Sequence, residues 1–443
     1  MTDPLPLAQA LIRCASVTPA DAGAQGVLAE ALEQLGFTVT RLRYGAIKNL
    51  FARLGDSAPH ICFAGHTDVV PVGAAQWRHD PFGAEVHDGV LYGRGACDMK
   101  GGIAAFVAAV AQLLAEAKPH GSISLLITGD EEADAVDGTV RVLEWMAAHQ
   151  QIPDFCLVGE PTCPVQLGDM IKIGRRGSLN ARIAVHGTQG HVAYPHRADN
   201  PVHRLVRAAG ALTAAPLDAG TEWFEPSSLQ FTSLDVGNTA TNIIPATARG
   251  ALNIRFNDRH TGASLSAWLR AVLAQHAERF DLDISISGES FITQPDTTKP
   301  NGAVETLRRA VAEASGVEPR LDTGGGTSDA RFIARYCPVA EFGLVGSSMH
   351  QADERVPVAE LRALAGIYRA ALAALLGASP APPRNVSPAH ASTAHASPTL
   401  VSPAPASSAH ASSAPASPAR PTWPKPMRGP VISSLLWAAS MPT

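Results

Sequence analysis

The stretch ISLLITGDEE, residues 123–132, joins an apolar run to two adjacent carboxylates. Its first five residues are largely apolar and partly β-branched, which predicts a buried strand. Glu131 and Glu132 follow at the carboxyl end of that strand. A glycine followed by acidic residues is by itself a common solvated turn, so a functional interpretation depends on what accompanies it.

Other stretches carry a histidine or a carboxylate in comparable positions. His66 follows ICFAG, Asp98 lies within GRGACDMKGG, and Glu160 follows FCLVG. His350 comes late in the chain, after the apolar run PVAEFGLVG. Ligands of open α/β sheets bind beyond the carboxyl ends of the strands. We therefore expect these side chains to gather at one edge of a sheet.

Strands and helices alternate around these stretches, which predicts an α/β fold: a layered domain with a mostly parallel central sheet. A length of 443 residues also favours two domains over one. After Lys172 the pattern becomes that of a small α+β sandwich. Because this sandwich separates Glu160 from His350, we interpret it as an inserted domain. The predicted divisions are a layered domain of residues 1–177 and 293–378, an inserted domain of residues 178–292, and an Ala/Ser/Pro-rich tail of residues 379–443 that is predicted to be disordered.

Composition and charge are those of a soluble globular protein. Hydrophobic residues make up 46% of the sequence, charged residues 17%, and the formal net charge is -5. This mildly acidic balance gives no reason to expect a nucleic-acid partner. No apolar run reaches the roughly 18 residues of a membrane span, and the N-terminus lacks the basic start of a signal peptide. The six cysteines form no CxxC pair, so we expect free thiols and a reducing cytoplasmic location.

The imidazoles and carboxylates named above form a ligand set that suits zinc, and also cobalt or manganese. One carboxylate can bridge two ions about 3.5–4 Å apart, as in two-metal hydrolysis. The spacing alone is a weak signal, because a histidine after an apolar strand is more often structural. Taken jointly, side chains at strand ends or in a glycine-rich loop predict a metal site. The candidates are His66, Asp98, Glu131, Glu132, Glu160 and His350.

Four stretches, FAGHTDVVP, GRGACDMKGG, TGDEE and LVGEPT, resemble in order and separation the motifs of the co-catalytic zinc peptidase family. That family contains aminoacylases, carboxypeptidases and acyl-amine deacylases. IKIGRRGSL, GTQGHVAYPH, NIIP, NIRFND and GGGTSDARF are similar to those family members that remove succinyl groups. The resemblance extends from about residue 5 to about residue 375 and excludes the tail.

The resemblance implies two Zn²⁺ ions per subunit, with Co²⁺ as a substitute. Asp98 would bridge the two ions. His66 and Glu160 would complete one metal site, and Glu132 and His350 the other.

Two further residues are implied to assist this metal pair. Asp68 would hydrogen-bond the imidazole of His66 and fix its tautomer. Glu131 would be the general base, taking a proton from the attacking water and delivering it to the leaving amine. In this division of the acidic pair, Glu132 faces a metal and Glu131 faces the water.

The resemblance also implies that the inserted domain mediates dimerisation and acts as a lid. His191, in GTQGHVAYPH, would reach the partner subunit's active site in a homodimer and stabilise the developing oxyanion. The arginines among the implied substrate contacts would offer a fork for a carboxylate. The implied substrate-binding residues are Arg175, Tyr194, Asn242, Arg255 and Thr327.

The implied activity is hydrolysis of N-succinyl-LL-2,6-diaminopimelate to succinate and LL-2,6-diaminopimelate, a reaction of lysine biosynthesis. The alternatives are deacylation of another acyl amino acid, such as acetylornithine, and a relative that binds metal without catalysis. One departure concerns LVGSSMHQADE, which has Gly346 where many relatives carry Asn. A polar substrate contact would then be absent or be supplied by Ser347 or Ser348.

Overall fold

The structure, a computed structural model, describes residues 1–116, 119–295 and 302–377. The tail predicted for residues 379–443 lies outside the described residues. Among the residues that are described, no helix combines the length and the apolar character that crossing a membrane requires. All six cysteines are described and all are free, as predicted.

The described helices are α1 (Leu5–Arg13), α2 (Ala24–Gln34), α3 (Lys100–Glu116), α4 (Thr139–Ala148), α5 (Pro201–Leu212), α6 (Gly262–His276), α7 (Ala303–Ser315), α8 (Ala330–Ile333) and α9 (Val358–Leu375). The described strands are β1 (Thr38–Tyr44), β2 (Ile47–Leu54), β3 (His60–His66), β4 (Val86–His87), β5 (Val90–Tyr92), β6 (Ser122–Thr128), β7 (Phe155–Val158), β8 (Met170–Lys172), β9 (Gly174–Arg175), β10 (Gly177–His186), β11 (Gly190–His191), β12 (Ser228–Asp235), β13 (Ile243–Ile244), β14 (Thr247–Phe256), β15 (Phe280–Gly288), β16 (Phe291–Ile292), β17 (Arg320–Asp322), β18 (Val339–Glu341) and β19 (Arg355–Pro357).

The large sheet has eight strands in the order β1-β2-β6-β3-β7-β18-β8-β17. Its centre, β6-β3-β7-β18, is parallel, and antiparallel pairs occur at β1–β2, β2–β6 and β8–β18. Every residue of β3, β6 and β7 is buried, as expected of strands that are covered on two faces. The predicted α/β fold with a mostly parallel central sheet is therefore confirmed.

Alternate residues of these strands face different hydrophobic clusters, because successive strand side chains point to opposite faces. Phe63, Leu125 and Leu157 pack in the cluster that holds α1, α3, α7 and α9. Cys62 and Leu126 pack with α4 and α8 on the other side. The apolar runs that read as strands are thus the middle layer between two layers of helices.

A second, antiparallel sheet has the order β12-β14-β10-β15 and its own hydrophobic cluster. Leu205 of α5 and Leu269 of α6 pack against this sheet, and β14 alternates buried with more exposed residues. One covered face and one open face produce this alternation. The strands and helices predicted for the segment are present, and its boundaries at residues 178 and 292 remain a prediction.

Strand register brings the polar stretches together at the carboxyl ends of β6, β3 and β7. His66 pairs with Thr128, and Ala64 pairs with Val158. Residues 129–132 and Glu160 therefore emerge on either side of His66. The small sheet β19-β5-β4 adds a further constraint, because Arg355 pairs with Tyr92 and draws the chain after His350 to the glycine-rich loop of Asp98.

Candidate metal centre

The sequence-predicted ligands converge in two groups that share one carboxylate. His66 Nε2 lies 3.3 Å from Asp98 Oδ1 and 3.8 Å from Glu160 Oε1. His350 Nε2 lies 3.1 Å from Asp98 Oδ2 and 3.0 Å from Glu132 Oε1. Each group places its ligand atoms within 4.8 Å of one another. Asp98 thus presents one oxygen to each histidine, which is the arrangement that a bridging carboxylate requires.

Two buried atoms indicate that these groups fit a cation. His66 Nε2 and Asp98 Oδ1 are both inaccessible to solvent, and neither has a hydrogen-bond partner. Buried polar atoms without partners are rare because each costs desolvation free energy. An imidazole nitrogen faces a carboxylate oxygen here, and neither atom is hydrogen-bonded. These are the types of ligand atom that zinc binds.

The protonation behaviour of the cluster follows from its concentration of carboxylates. Hydrogen bonds to Asp98 and Glu132 raise the pKa of His350 to about 10. Burial and then the charge of Asp98 raise the pKa of Glu160 to about 8. Burial opposes ionisation of Asp98 as well, but the neighbouring imidazoles of His350 and His66 hold the pKa of Asp98 below its ordinary range. The cluster therefore needs positive charge, which protons supply here and a divalent cation can replace.

Asp68 contacts both the imidazole of His66 and the turn that bears Glu131 and Glu132. The atom of Asp68 that contacts the imidazole differs from the predicted one. His66 Nδ1 is 2.9 Å from the backbone carbonyl of Asp68, whereas the carboxylate is 3.7 Å away. The carboxylate instead accepts hydrogen bonds from the backbone N–H of Glu131 (3.2 Å) and of Glu132 (3.1 Å). Asp68 thus contacts the imidazole through its backbone carbonyl, and its carboxylate fixes the turn that bears the acidic pair.

Glu354 is a functional residue that the sequence analysis missed. Its fully buried carboxylate accepts hydrogen bonds from the backbone N–H of Gly95, Cys97 and Asp98 at 3.0–3.1 Å and pairs with Arg94 at 2.8 Å. It therefore holds the loop of the shared ligand as Asp68 holds the loop of the acidic pair. Glu354 directly precedes β19, and the pairing of β19 with β5 brings it to the loop of Asp98, so this contact depends on segments distant in the sequence.

Arg175 forms its contacts within the protein. Its Nε donates to Glu341 Oε1 at 2.9 Å, its Nη2 also pairs with Glu341, and its Nη1 donates to the carbonyl of Gly326 at 2.9 Å. Glu341 is only 1% exposed, so it needs this counter-charge. The paired donors that were predicted to bind a substrate carboxylate are therefore occupied by the protein. The sequence offered one sign of this ion pair, because Glu341 stands inside the apolar run PVAEFGLVG and a buried glutamate needs a counter-charge.

Thr327 and the acidic pair line one cleft of about 470 Å³ beside the metal groups. Glu132 contacts His350, whereas no hydrogen-bond donor contacts the Glu131 carboxylate among the described residues. Burial, and then the charge of Glu160, raise the pKa of Glu131 well above its ordinary value. The two neighbouring carboxylates therefore stand in different environments. Glu131 also lies within reach of His66, so both carboxylates remain close to the metal groups.

The candidates of the inserted segment lie apart from this cluster. His191, Tyr194 and Asn242 are exposed, and we call them the His191 group. The ring centroids of His191 and Tyr194 are 5.7 Å apart, and Val192 N–H donates to the Asn242 carbonyl at 3.1 Å. Arg255 lies on β14, where burial and Arg176 lower its pKa. Within residues 1–116, 119–295 and 302–377, no hydrogen bond, ion pair or ring contact joins these side chains to the metal groups.

Comparison with known proteins agrees with this geometry. The profile described as Peptidase family M20/M25/M40 matches residues 62–374. A succinyl-diaminopimelate desuccinylase of Gluconacetobacter diazotrophicus is 63% identical over 381 residues, which cover 85% of this chain and 98% of that protein. Its counterpart of the same name in Acidiphilium cryptum is 64% identical over 367 residues, which cover 83% of this chain and 96% of that protein.

Solved structures support the fold at much lower identity. An M20 family metallo-carboxypeptidase from Sulfolobus solfataricus superposes with a TM-score of 0.68 at 17% identity, covering 85% of this chain and 99% of that one. The aminopeptidase PepT from Bacillus cereus gives a TM-score of 0.68 at 19% identity, covering 84% and 98%. With a matched profile over most of its length and relatives above 60% identity, this chain belongs to peptidase family M20/M25/M40.

Proposed function

We propose that this chain hydrolyses N-succinyl-LL-2,6-diaminopimelate to succinate and LL-2,6-diaminopimelate. The observation that carries the proposal is the shared carboxylate of Asp98, which faces His66 with one oxygen and His350 with the other. Relatives at 63% and 64% identity are named for this desuccinylation, and they are matched over nearly their whole length. The cleft beside the metal groups provides space for a small substrate.

Two Zn²⁺ ions per subunit are proposed, with Co²⁺ as a substitute. His66, Asp98 and Glu160 would hold one ion, and Asp98, Glu132 and His350 the other. Bound metal supplies Lewis-acid polarisation of the amide carbonyl and a nucleophile derived from water at neutral pH.

Glu131 is proposed to move the proton. Its carboxylate borders the cleft, and burial together with Glu160 favours its protonated form. A raised pKa makes the carboxylate form a stronger base, so it can accept a proton from water and, once protonated, release that proton to the amine that leaves. The backbone N–H groups of Glu131 and Glu132 both donate to Asp68, so the turn that bears this acid is fixed before substrate binds.

Substrate recognition is proposed to rest on Tyr194, Asn242, Arg255 and Thr327. A succinylated diaminopimelate carries three carboxylates and one ammonium, which these hydroxyl, amide and guanidinium groups can pair. Arg175 is proposed to act one step removed, because its guanidinium already pairs with the buried Glu341.

His191 is proposed to complete the site of a partner subunit in a homodimer. Its ring is exposed and accepts a hydrogen bond from Ala193 N–H at Nδ1 (3.1 Å), which leaves Nε2 available as a donor. A donor aimed at the carbonyl oxygen of the scissile amide would stabilise the charge that develops there.

A comparison of substrates tests the proposed function. Turnover of N-succinyl-LL-2,6-diaminopimelate should exceed turnover of acetylornithine by the zinc-loaded protein, since only the former offers the additional carboxylates. A clear preference for acetylornithine would contradict the proposed substrate but retain the deacylase chemistry. Failure of the zinc-loaded protein to hydrolyse any acyl amino acid would indicate a relative that binds metal without catalysis.

A further inference from the structure

The long loop of residues 71–92, which precedes the loop of Asp98, contains a second cluster of metal-ligating side chains. His79, Glu85 and His87 place ligand atoms within 4.8 Å of one another. None of these residues belongs to the two groups that share Asp98. The proposed function assigns His79, Glu85 and His87 no role.

Local structure brings the three side chains together. Glu85 and His87 are two residues apart at the start of the hairpin of β4 and β5, so their side chains project to the same side. The hairpin is anchored because Tyr92 N–H donates to the Glu85 carbonyl at 2.9 Å. His79 approaches from the preceding loop, and its ring packs on Tyr92 with centroids 4.1 Å apart.

Both imidazoles turn a nitrogen to the same carboxylate oxygen. His87 Nε2 is 2.8 Å and His79 Nδ1 is 3.5 Å from Glu85 Oε2. The two imidazole ring centroids are 4.6 Å apart with an interplanar angle of 30°. Ligand atoms around one tetrahedral zinc ion, at about 2.0–2.1 Å from the metal, lie about 3.3 Å from each other. The observed separations fall on either side of that value, so small side-chain rotations suffice to enclose an ion.

We propose that His79, Glu85 and His87 form an accessory site for a divalent transition-metal ion, of which zinc is the representative. Two imidazoles and one carboxylate favour zinc, copper or nickel over magnesium or calcium, which prefer oxygen ligands. The side chains are 23%, 46% and 51% exposed, so the ion exchanges with solvent more readily than an ion in the buried centre. A bound ion links the loop at His79 to the hairpin that leads into the Asp98 loop.

Equilibrium dialysis of the full-length protein against increasing zinc tests this site, with bound zinc per subunit measured by mass spectrometry. The variant His79→Ala/His87→Ala should saturate with one zinc ion per subunit fewer than wild type. Histidines elsewhere in the chain are common to both proteins, so the difference in zinc content reports on this cluster. Equal zinc content at saturation would overturn the proposal.

The pair His186–Asp281 provides a matched control. His186 Nε2 lies 2.8 Å from Asp281 Oδ2 and is exposed, but only one imidazole takes part in this pair. His186→Ala should therefore bind as much zinc as wild type, and a matching loss in this control would overturn the assignment to His79 and His87.

Glu85→Gln gives a second, milder variant that retains both imidazoles and the side-chain volume. It should need a higher zinc concentration to fill the last site, while its circular dichroism spectrum and its turnover with the other metal sites loaded stay at wild-type values. A zinc titration curve for Glu85→Gln that matches wild type would remove the carboxylate, and with it the three-ligand site.

Discussion

The candidate metal centre and the His191 group are built in opposite ways. In the centre, His66 is 1% and Asp98 is 5% exposed, His350 is the exposed ligand, and buried carboxylates hold the backbone on which the buried ligands sit. In the His191 group the side chains are exposed, and their contacts are with one another and with neighbours close in the chain. Buried groups keep their geometry without substrate, whereas exposed groups acquire a functional geometry only when another surface covers them. The metal centre is thus the preorganised half of the proposed site, and the His191 group is the half that must be assembled.

Removal of the shared ligand should have the largest effect on the preorganised half. Asp98 is the one described side chain that contacts both His66 and His350. Asp98→Asn should therefore lose zinc from both sites, and turnover should fall to background. Zinc content and turnover measured together check this, and retention of two zinc ions would contradict the bridging role.

Loss of the proposed oxyanion donor should be the next largest effect. His191→Ala should lower kcat by about 10²–10³-fold, as for other oxyanion donors, with zinc content unchanged. A fall in zinc content would instead place His191 among the metal ligands.

Mixing two inactive variants can show whether His191 acts on the partner subunit. In a mixed dimer of His191→Ala and Glu131→Gln, one site combines an intact Glu131 with an intact His191 from the other chain. Random exchange of subunits should restore about a quarter of wild-type activity, because half of the dimers are mixed and each has one intact site of two. No recovery after verified subunit exchange would place His191 in its own subunit's site.

Substitution of Glu354 tests whether buried carboxylates fix the loops that carry the candidate metal ligands. Glu354→Gln should lower zinc affinity by about 10–100-fold, as outer-shell substitutions do. It should also destabilise the fold by about 3–5 kcal/mol, because Arg94 is left as a buried, unpaired charge. Zinc titration and denaturant unfolding measure these effects.

An exposed ion pair is the matched control for that substitution. Glu144 pairs with Arg141 at 2.6 Å, but the two side chains are 50% and 44% exposed. Glu144→Gln should change zinc affinity and unfolding free energy very little, since exposed pairs contribute little. Equal effects of the two glutamine substitutions would contradict the positioning role of Glu354.

The smallest effect concerns His60, the buried histidine at the start of β3. Burial, reinforced by Arg53, lowers the pKa of His60 to about 4. Because the unfolded chain binds this proton near pH 6.5, stability is retained above that pH and is lost as the pH falls toward 4. The free energy of unfolding should fall by on the order of 1–3 kcal/mol, and this fall should be absent in His60→Gln. A difference in unfolding free energy between wild type and His60→Gln that does not change with pH would contradict this prediction.

Sequence reasoning proposed the candidate metal ligands because each followed an apolar run or lay in a glycine-rich loop. ICFAG, ISLLI and FCLV are apolar apart from Ser124, so they predicted buried strands, and the residues after them had to emerge at one edge. His350 also follows an apolar run, PVAEFGLVG, and only its assignment to the second metal site came from the family resemblance.

The supporting residues could not be predicted in the same way. Glu354 and the Asp68 carboxylate act on backbone N–H groups of other segments, and such contacts depend on three-dimensional register. Arg175 resembled a substrate contact by its motif, but its partner Glu341 is 166 residues away in the chain. Residue type and motif predicted the chemistry, whereas the pairing of distant segments determined which donors were already occupied.

The asymmetry between Glu131 and Glu132 tests the account most directly. Zinc content and turnover should be measured side by side for Glu131→Gln and Glu132→Gln. We expect Glu131→Gln to keep the zinc content of wild type while kcat falls by about 10²–10⁴-fold, and Glu132→Gln to lose one zinc ion per subunit. Wild-type turnover in Glu131→Gln would contradict the assignment of Glu131 to the proton. Loss of zinc from Glu131→Gln but not from Glu132→Gln would contradict the assignment of Glu132 to the metal.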